Sequence, residues 1–530
     1  MVTVKLGNWS LGFGTDVDSE RKRPLVLVIL DGWGYSERTH GNAIAMANTP
    51  NFDRVVSSFP GTFLAASGTR VGLTPESTGN PEIGHLNIGT GRAVRSMRRR
   101  IVESIDDGSF FHNKVLSSAY RKACKRGSAV HLVGLLSNGD VHSTPESLFA
   151  LLRMAKIHGI YDKVYVHGIL DGVDVAPRSA DVFVEAIQIK LADIGVGRLA
   201  TLCGRQYAMD NTENWQRTAR AYTMLAHSEG ILAHDAVDAI RDSFLRGLSD
   251  EFVQPIVLTE TDEKPIGAIR DGDVVIFFNH RGDAMAQLVK AVSESQPARD
   301  GSFTKPKVDA VCLTEYDPAL KLPVAFRASD ERNVLSDVLY DNGLTNARFA
   351  ESSRRKHISY FFNGRDEAGK ESEQYFLVDS DELMASERPE LGSFKITDRL
   401  LRAIENKEND VFIVNLSAAD VAARSGNLQK TIEAVQYVDT CLGGIIEKVR
   451  AFNGIAIVTA DHGNCEDMSM NGKAPTPYTA NPVPFVVVGD RLEGLKLRED
   501  GALEDIAPTI LGILGIEPPT EMTGADLRVD

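Results

Sequence analysis

The chain has 530 residues, of which 43% are hydrophobic and 25% charged, and its net charge is −15 at pH 7. That length exceeds one ordinary core and sets two domains as the expectation. The negative balance excludes broad binding to nucleic acid or to an anionic membrane, so any anionic ligand must be drawn by a local basic cluster.

Taken in chain order, residues 1–23 mix Gly, Ser, Asp and Lys/Arg without a secretory apolar segment and are expected to be a loosely ordered lead-in. Residues 25–34, LVLVILDGWG, form a short apolar, β-branched run that stops at an aspartate followed by glycine. Such continuous runs suit strands buried on both faces of a parallel sheet. The same grammar recurs in HLVGLLSNGDVHS (131–143), KVYVHGILDGVD (163–174), LATLCGRQYAMD (199–210) and VVIFFNHRGD (274–283). It returns in VFIVNLSAAD (411–420) and IAIVTADHGN (455–464), with helix-like segments at 398–407 and 428–450. Alternating strands and helices predict an α/β fold. Ligands of such sheets bind beyond the carboxyl ends of the strands, where these polar residues fall. No apolar run approaches the ~20 residues of a membrane span. Cys124, Cys203, Cys312, Cys441 and Cys465 form no CxxC pair, which points to reduced thiols in the cytoplasm.

Asp31, Asp420, Asp461 and His462 all lie at predicted strand ends. Singly, Asp31 and Asp461-His462 suit strand-to-helix turns, and Asp420 suits a helix N-cap. Together, three carboxylates and a histidine from distant parts of one sheet suit a divalent cation that polarises a phosphoryl group.

The strings LDGWG, GNAIAMANTPNFD, SGTRVGL, GNPEIGHLNIGTGR, HLVGLLSNGDVHS, VYVHGILDGVD, GRQYAMD, FFNHRGD, YFFNG, TADHGN and NPVPF occur in this order. From about residue 24 to the C terminus they resemble the cofactor-independent phosphoglycerate mutases of the alkaline phosphatase superfamily. The resemblance implies an alkaline-phosphatase-like domain at 24–96 and 329–530, with an inserted α/β transferase domain at 97–328. It also implies two divalent metals, usually manganese, and a serine that carries the phosphoryl group between positions 3 and 2 of glycerate.

Three positions depart from that pattern. The family's GNSEVGH reads GNPEIGH, so Pro81 stands at the nucleophilic serine. Proline has no hydroxyl, yet it is well tolerated at the first position of a helix. Ser77 and Thr78 lie close by, but a shift of three or four residues aims a hydroxyl elsewhere. One implied metal site keeps Asp31, Asp461 and His462. The other keeps Asp420, while Arg424 and Tyr478 replace its two histidines. A guanidinium cannot ligate a cation. Arg424 is therefore expected either to replace the second metal as an anion clamp or to neutralise Asp420, and Tyr478 to fill vacated space.

By the same resemblance His142 and Asp174 face the ligand, and Arg205, Arg281 and Arg354 bind its anionic groups. Three arginines of the family pattern are absent, at Val173, Asn211 and Ala284. The expectation is a monomeric protein that holds one divalent ion, Mn²⁺ before Mg²⁺, Zn²⁺ or Co²⁺. Its ligand is a small anionic phospho- or phosphono-carboxylate, on which it transfers a phosphoryl- or phosphonyl-type group without a phosphoserine. Phosphonate metabolism is one conceivable home. The alternatives are a non-catalytic relative that binds a phosphoglycerate-like ligand and a true 2,3-bisphosphoglycerate-independent mutase of glycolysis.

Overall fold

The computed structural model describes residues 24–529 except 140, 283, 295–304, 330, 381–389, 469–477, 491 and 493. The expected N-terminal lead-in lies outside the described residues. The chain divides into two compact units, one made of the residues up to Ser96 and of those after 329, the other of Met97–Ser329.

The first unit begins with β1 (Leu25–Leu30) and β2 (Gly61–Leu64). The chain then builds the second unit, with β3 (Val130–Leu136), β4 (Val164–Leu170), β5 (Arg198–Gly204), β6 (Ile231–Ala233), β7 (Ile256–Leu258), β8 (Val274–Phe277), β9 (Asp309–Thr314) and β10 (Val324–Phe326). It returns to the first unit with β11 (Asn346–Glu351), β12 (Glu373–Val378), β13 (Val411–Leu416), β14 (Ile455–Thr459) and β15 (Val483–Val488).

The first sheet runs β12-β11-β13-β1-β14-β15-β2. Its five strands from β12 to β14 are parallel, and β15 pairs antiparallel with β14 and with β2. Every residue of β1 and β13 is buried, which is why those runs read as continuously apolar rather than alternating. The second sheet runs β10-β9-β8-β3-β4-β5-β7-β6, parallel from β10 to β5, with β7 antiparallel to β5. Each run singled out in the sequence is a strand of the parallel part. The antiparallel strands β2, β7 and β15 carry no polar strand-end signal, and the sequence did not announce them.

Four helices of the first unit matter for the site: α1 (Pro81–Thr90), α2 (Glu390–Glu405), α3 (Ala418–Arg424) and α4 (Leu428–Ala451). Pro81 is the first residue of α1, where its missing N–H costs nothing. The Asn80 side chain caps the helix by accepting from the Ile83 N–H at 3.0 Å. Asp420 lies within the first turn of α3, behind Ser417 at the N-cap position, so it is not the cap that its sequence context suggested.

Helix α1 lies hard against the turn after β14. A Cβ at Gly84 would stand 2.3 Å from the Asp461 carbonyl oxygen, which only glycine avoids. Gly84→Ala should therefore destabilise the first unit by roughly 1–3 kcal/mol, as overpacked interiors do. Thermal unfolding of the two proteins measures it, and an unchanged midpoint would show that α1 yields freely.

Candidate functional site

The parallel order of β11, β13, β1 and β14 brings the carboxyl ends of four neighbouring strands to one edge. Arg354 follows β11, Asp420 follows β13, Asp31 follows β1, and Asp461 and His462 follow β14. This is how residues far apart in sequence meet. Asp31, Asp420, Asp461 and His462 have no exposed surface, and Arg354 is buried.

Each member of the innermost trio has one atom tied and one atom left over. Asp461 Oδ1 accepts the N–H groups of Gly32 at 3.3 Å and His462 at 3.1 Å. Asp31 Oδ2 accepts from Arg354 Nε at 2.6 Å. His462 Nδ1 lies 3.2 Å from the Gly463 carbonyl and donates to it, which turns Nε2 inward. Asp31 Oδ1, Asp461 Oδ2 and His462 Nε2 remain buried without a hydrogen-bond partner. His462 Nε2 is 3.2 Å from Asp31 Oδ1, but not in hydrogen-bond geometry. The three atoms lie within 4.8 Å of one another. Orphaned buried polar atoms each cost about 1–3 kcal/mol. Two carboxylate oxygens and an imidazole nitrogen so placed fit a divalent ion, which would satisfy all three.

Asp420 stands outside this trio. Its Oδ2 accepts from Arg354 Nη2 at 2.7 Å and its Oδ1 from Asn464 Nδ2 at 2.8 Å. The countercharge of Asp420 is therefore Arg354, and Arg424 makes no ion pair with it. Arg424, the last residue of α3, is exposed and donates through Nη1 to the Tyr478 hydroxyl at 3.2 Å. The Tyr478 ring lies 4.4 Å from that of His462 and covers the trio on that side. A second ion at Asp420, Arg424 and Tyr478 does not fit, because both oxygens of the aspartate are engaged and neither partner is an ordinary metal ligand.

The electrostatics follow from burial and from the two cations. Burial pushes the Asp31 carboxyl up, but the Arg354 guanidinium and His462 outweigh it and hold it well below the usual range. Burial and the charge of Asp31 push Asp420 up. Burial disfavours a charged His462, yet Asp461, Asp31 and Asp420 overcome it and push the imidazole up to about 10.

The segment before α1 borders the same centre. Gly79 packs against the Cβ of His462, and Gly84 packs against Asp461. Pro81 lies between these two contacts, with its carbonyl accepting from His85 Nδ1 at 2.8 Å. Ser77 instead turns its hydroxyl to Thr74 Oγ1 at 2.6 Å. Asn464 and Glu466 were missed as site residues, although TADHGN contains the first. Glu466 accepts from Gly34 N–H at 3.2 Å and Asn464 N–H at 2.8 Å, and so ties the loop after β14 to the loop after β1.

The second unit repeats the construction. The turns after β8, β3 and β4, together with Arg205 directly after β5, supply its polar cluster. Arg205 Nη1 donates to Asp171 Oδ1 and Asp174 Oδ2, both at 2.7 Å, and Nη2 lies 3.0 Å from His142 Nε2. Burial pushes Asp171 up, but the Ser137 hydroxyl, the N–H groups of Asp174 and Val173, and Arg205 hold it below the usual range. His280 and Arg281 donate their N–H groups to the His142 carbonyl at 2.7 and 3.4 Å, which sets the Arg281 backbone beside His142. Burial, then the charges of Arg98 and His142, push His280 down to about 3, so it stays neutral. Asp171 and Arg98 were not singled out in the sequence; the RSMRRR run beside GTGRAV was the available signal for the latter. A cleft of about 380 Å³ is lined by His142 and Arg205 and also by Val173, Asn211 and Ala284. The three positions that lack the arginines of the resembling pattern thus border one space.

Two α/β units with polar clusters at the carboxyl ends of parallel strands define the class. Residues 101–318 match the family described as the BPG-independent PGAM N-terminus. The 2,3-bisphosphoglycerate-independent phosphoglycerate mutase of Desulforudis audaxviator is 43% identical over 512 residues, 95% of this chain and 99% of the relative. That of Moorella thermoacetica is 42% identical over 514 residues, 96% of this chain and 98% of the relative. The crystal structure of Leishmania mexicana phosphoglycerate mutase at low cobalt concentration superposes with a TM-score of 0.74 at 28% identity, covering 96% of this chain and 98% of that one. The chain belongs to the 2,3-bisphosphoglycerate-independent phosphoglycerate mutases, an enzyme family, and its first α/β unit is interrupted in sequence by the second. No helix among the described residues is long and apolar enough to cross a membrane.

A metal ligand must be deprotonated, so an ion entering the trio displaces the His462 proton. Because the folded pKa of about 10 lies above the ordinary value, that proton stabilises the ion-free centre at pH 7 and its contribution is lost as pH rises toward 10. Mn²⁺ affinity should accordingly rise by up to about tenfold per pH unit below that point. Calorimetry in buffers of different ionisation enthalpy should find about one proton released per ion at pH 7. At a free concentration of ~100 Kd the ion should stabilise the fold by about 2.7 kcal/mol, and Asp461→Ala should abolish the shift. A shift that survives Asp461→Ala places the ion elsewhere.

Proposed function

We propose that the protein binds a small phosphorylated hydroxycarboxylate of the phosphoglycerate class and acts on it with one divalent ion, without a phosphoserine intermediate. Asp31, Asp461 and His462 are the residues that would hold the ion. When bound, it would polarise a phosphoryl oxygen and stabilise the charge that develops there. Arg205, fixed by Asp171 and Asp174, presents Nη2 beside His142, and the Arg281 backbone lies next to it. Within the second unit this cluster suits an anion in its own right, since guanidinium forks match phosphate and carboxylate. With a net charge of −15, the protein needs such a local cluster to attract an anion at all.

The observation that carries this reading is Pro81. It occupies the first position of a well-capped α1 at the rim of the ion site, and a pyrrolidine ring offers no atom to carry a phosphoryl group. Transfer through an enzyme-bound intermediate needs a nucleophile that holds the group while the acceptor reorients.

A second reading has its own support. Relatives at 42–43% identity across 95–96% of the chain are phosphoglycerate mutases, which favours a true mutase, with its reaction on phosphoglycerate, over a diverged activity. Judged by the relatives alone it is the better supported of the two. A phosphonyl-type substrate finds no support among them. The two readings differ at one residue, and one assay separates them.

A coupled assay for conversion of 3- to 2-phosphoglycerate, with added Mn²⁺, should show turnover at least ~10⁴-fold below that of the Moorella thermoacetica relative under the same conditions, about the loss that removal of a principal catalytic group causes. Calorimetry should still detect phosphoglycerate binding. Turnover at the relative's rate would reject the first reading in favour of the mutase, and a phosphopeptide containing Ser77 or Thr78 would identify the carrier. Absence of binding would reject both.

A further inference from the structure

The four strands whose ends carry the polar cluster of the second unit, β8, β3, β4 and β5, are also tied by a line of buried side chains outside that cluster. Asp273 stands directly before β8, His131 lies on β3, His167 on β4 and Thr201 on β5. None of the four is more than 6% exposed. His131 Nε2 lies 3.2 Å from Asp273 Oδ2, and His131 Nδ1 lies 2.8 Å from His167 Nε2. His167 Nδ1 in turn lies 2.9 Å from Thr201 Oγ1.

Asp273 sets the direction of every bond in this line. Burial pushes its carboxyl up, but His131 and the N–H groups of Ala129 and Arg270 hold it below the usual range. An ionised carboxylate only accepts, so His131 Nε2 carries the proton. Nδ1 of a neutral His131 then accepts from His167 Nε2–H, which leaves His167 Nδ1 as an acceptor and the Thr201 hydroxyl as its donor. Burial, and then the neighbouring His131, push His167 well down, so it stays neutral.

The last bond of the line falls at an irregularity of the sheet. β4 and β5 pair in parallel as Val166 with Leu199 and next as His167 with Thr201, so Ala200 is an extra residue in β5. Such bulges are rare between parallel strands, and they re-aim the side chains that follow. Beyond it the pairing runs on to Leu170 with Gly204. Arg205 is thereby level with Asp171, to whose Oδ1 it donates through Nη1 at 2.7 Å. Without the extra residue Gly204 would stand opposite Asp171, and Arg205 would pass beyond it and turn to the other face.

We propose that His167 and Thr201, backed by His131 and Asp273, are positioning residues for Arg205: their hydrogen bond holds the bulge in β5, and the bulge delivers the guanidinium to Asp171 and Asp174. That Arg205 then meets an anion rests on the proposed function, whereas the register of β5 does not.

Two substitutions at one position separate the hydroxyl from packing. Thr201→Val keeps the shape and removes the donor; Thr201→Ser keeps the donor and removes a methyl group. The guanidinium N–H signals of Arg205, identified by their loss in Arg205→Gln, are followed in nitrogen-15 spectra, and affinity for inorganic phosphate is followed by calorimetry. Thr201→Ser should match the wild type in both. Thr201→Val should shift the Arg205 signals and weaken phosphate binding about 10- to 100-fold, the loss of a charge-assisted contact. The Thr201→Val/Arg205→Gln pair should bind phosphate no more weakly than Arg205→Gln alone, because both act through one group. Unmoved Arg205 signals in Thr201→Val would overturn the proposal, as would an equal or larger shift in Thr201→Ser. Should Thr201→Val fail to fold, the wild type decides the matter. Long-range nitrogen-15 spectra at pH 8, where imidazoles are neutral, should show His167 protonated at Nε2 and bare at Nδ1, and the opposite tautomer would overturn the proposal. If the Arg205 signals respond as expected but the wild type binds no phosphate, the anion reading of the cluster fails and this one stands.

Discussion

Three carboxylates without solvent contact, at the ends of three adjacent strands, are the constraint around which the first unit is organised. Two unit charges ~4 Å apart repel by roughly 4 kcal/mol at an effective dielectric of about 20. Three such pairs approach the whole net stability of a domain, about 5–15 kcal/mol. The fold meets this with Arg354 and with His462, whose imidazole the aspartates push up to about 10, and it sets Asp31 Oδ1, Asp461 Oδ2 and His462 Nε2 facing one another. Everything nearby is arranged to hold that geometry. Gly32 takes a left-handed φ of +74° with room for no Cβ beside Asp420, and Glu466 links the loops after β1 and β14. Removing one partner from such a buried set costs about 3–5 kcal/mol, so the ion site and the stability of the unit are one problem.

The second unit solves a related problem with the signs reversed. There a guanidinium, Arg205, is the buried-side group, and Asp171 and Asp174 hold it in one orientation. Asp171 is itself locked by Ser137 and by backbone N–H groups of its own turn. An arginine fixed this way loses less freedom when it meets an anion, which is how preorganisation yields affinity. Both clusters sit at the carboxyl ends of parallel strands, where α/β sheets leave their backbone ends and loops free to collect ligands.

Much of this was legible in the sequence. The buried parallel strands announced themselves as apolar runs ending in Asp-Gly, Ser-Asn-Gly or Asp-His-Gly, and the polar residues at those ends are the ones that converge. The antiparallel strands β2, β7 and β15 were not legible, because an apolar run at a sheet margin carries no strand-end motif and its direction is set by tertiary pairing. At the site, Arg424 was the arginine that sequence position drew attention to, while Arg354 is the one that meets Asp420. Position along the chain places a residue at a strand end; it does not say which guanidinium reaches inward. Arg354 leaves β11, next to β13, and arrives from the flank, whereas Arg424 ends the very helix that carries Asp420 and points to Tyr478 and solvent.

At Pro81 the fold is indifferent to whether the side chain carries a hydroxyl. The backbone of α1 asks for a residue at its first position that needs no N–H partner, and proline meets that requirement as well as serine does. Asn80 still caps the helix, Gly84 still clears Asp461, and His85 still bonds the residue 81 carbonyl. Nothing in the packing registers the missing hydroxyl, so nothing in the fold selects against it. Identity of 43% over 512 residues is a sum over packing constraints, most of them met in the core. A hydroxyl oxygen at position 81 would add almost nothing to that sum, so the fold tolerates proline there whatever chemistry the surrounding charges perform.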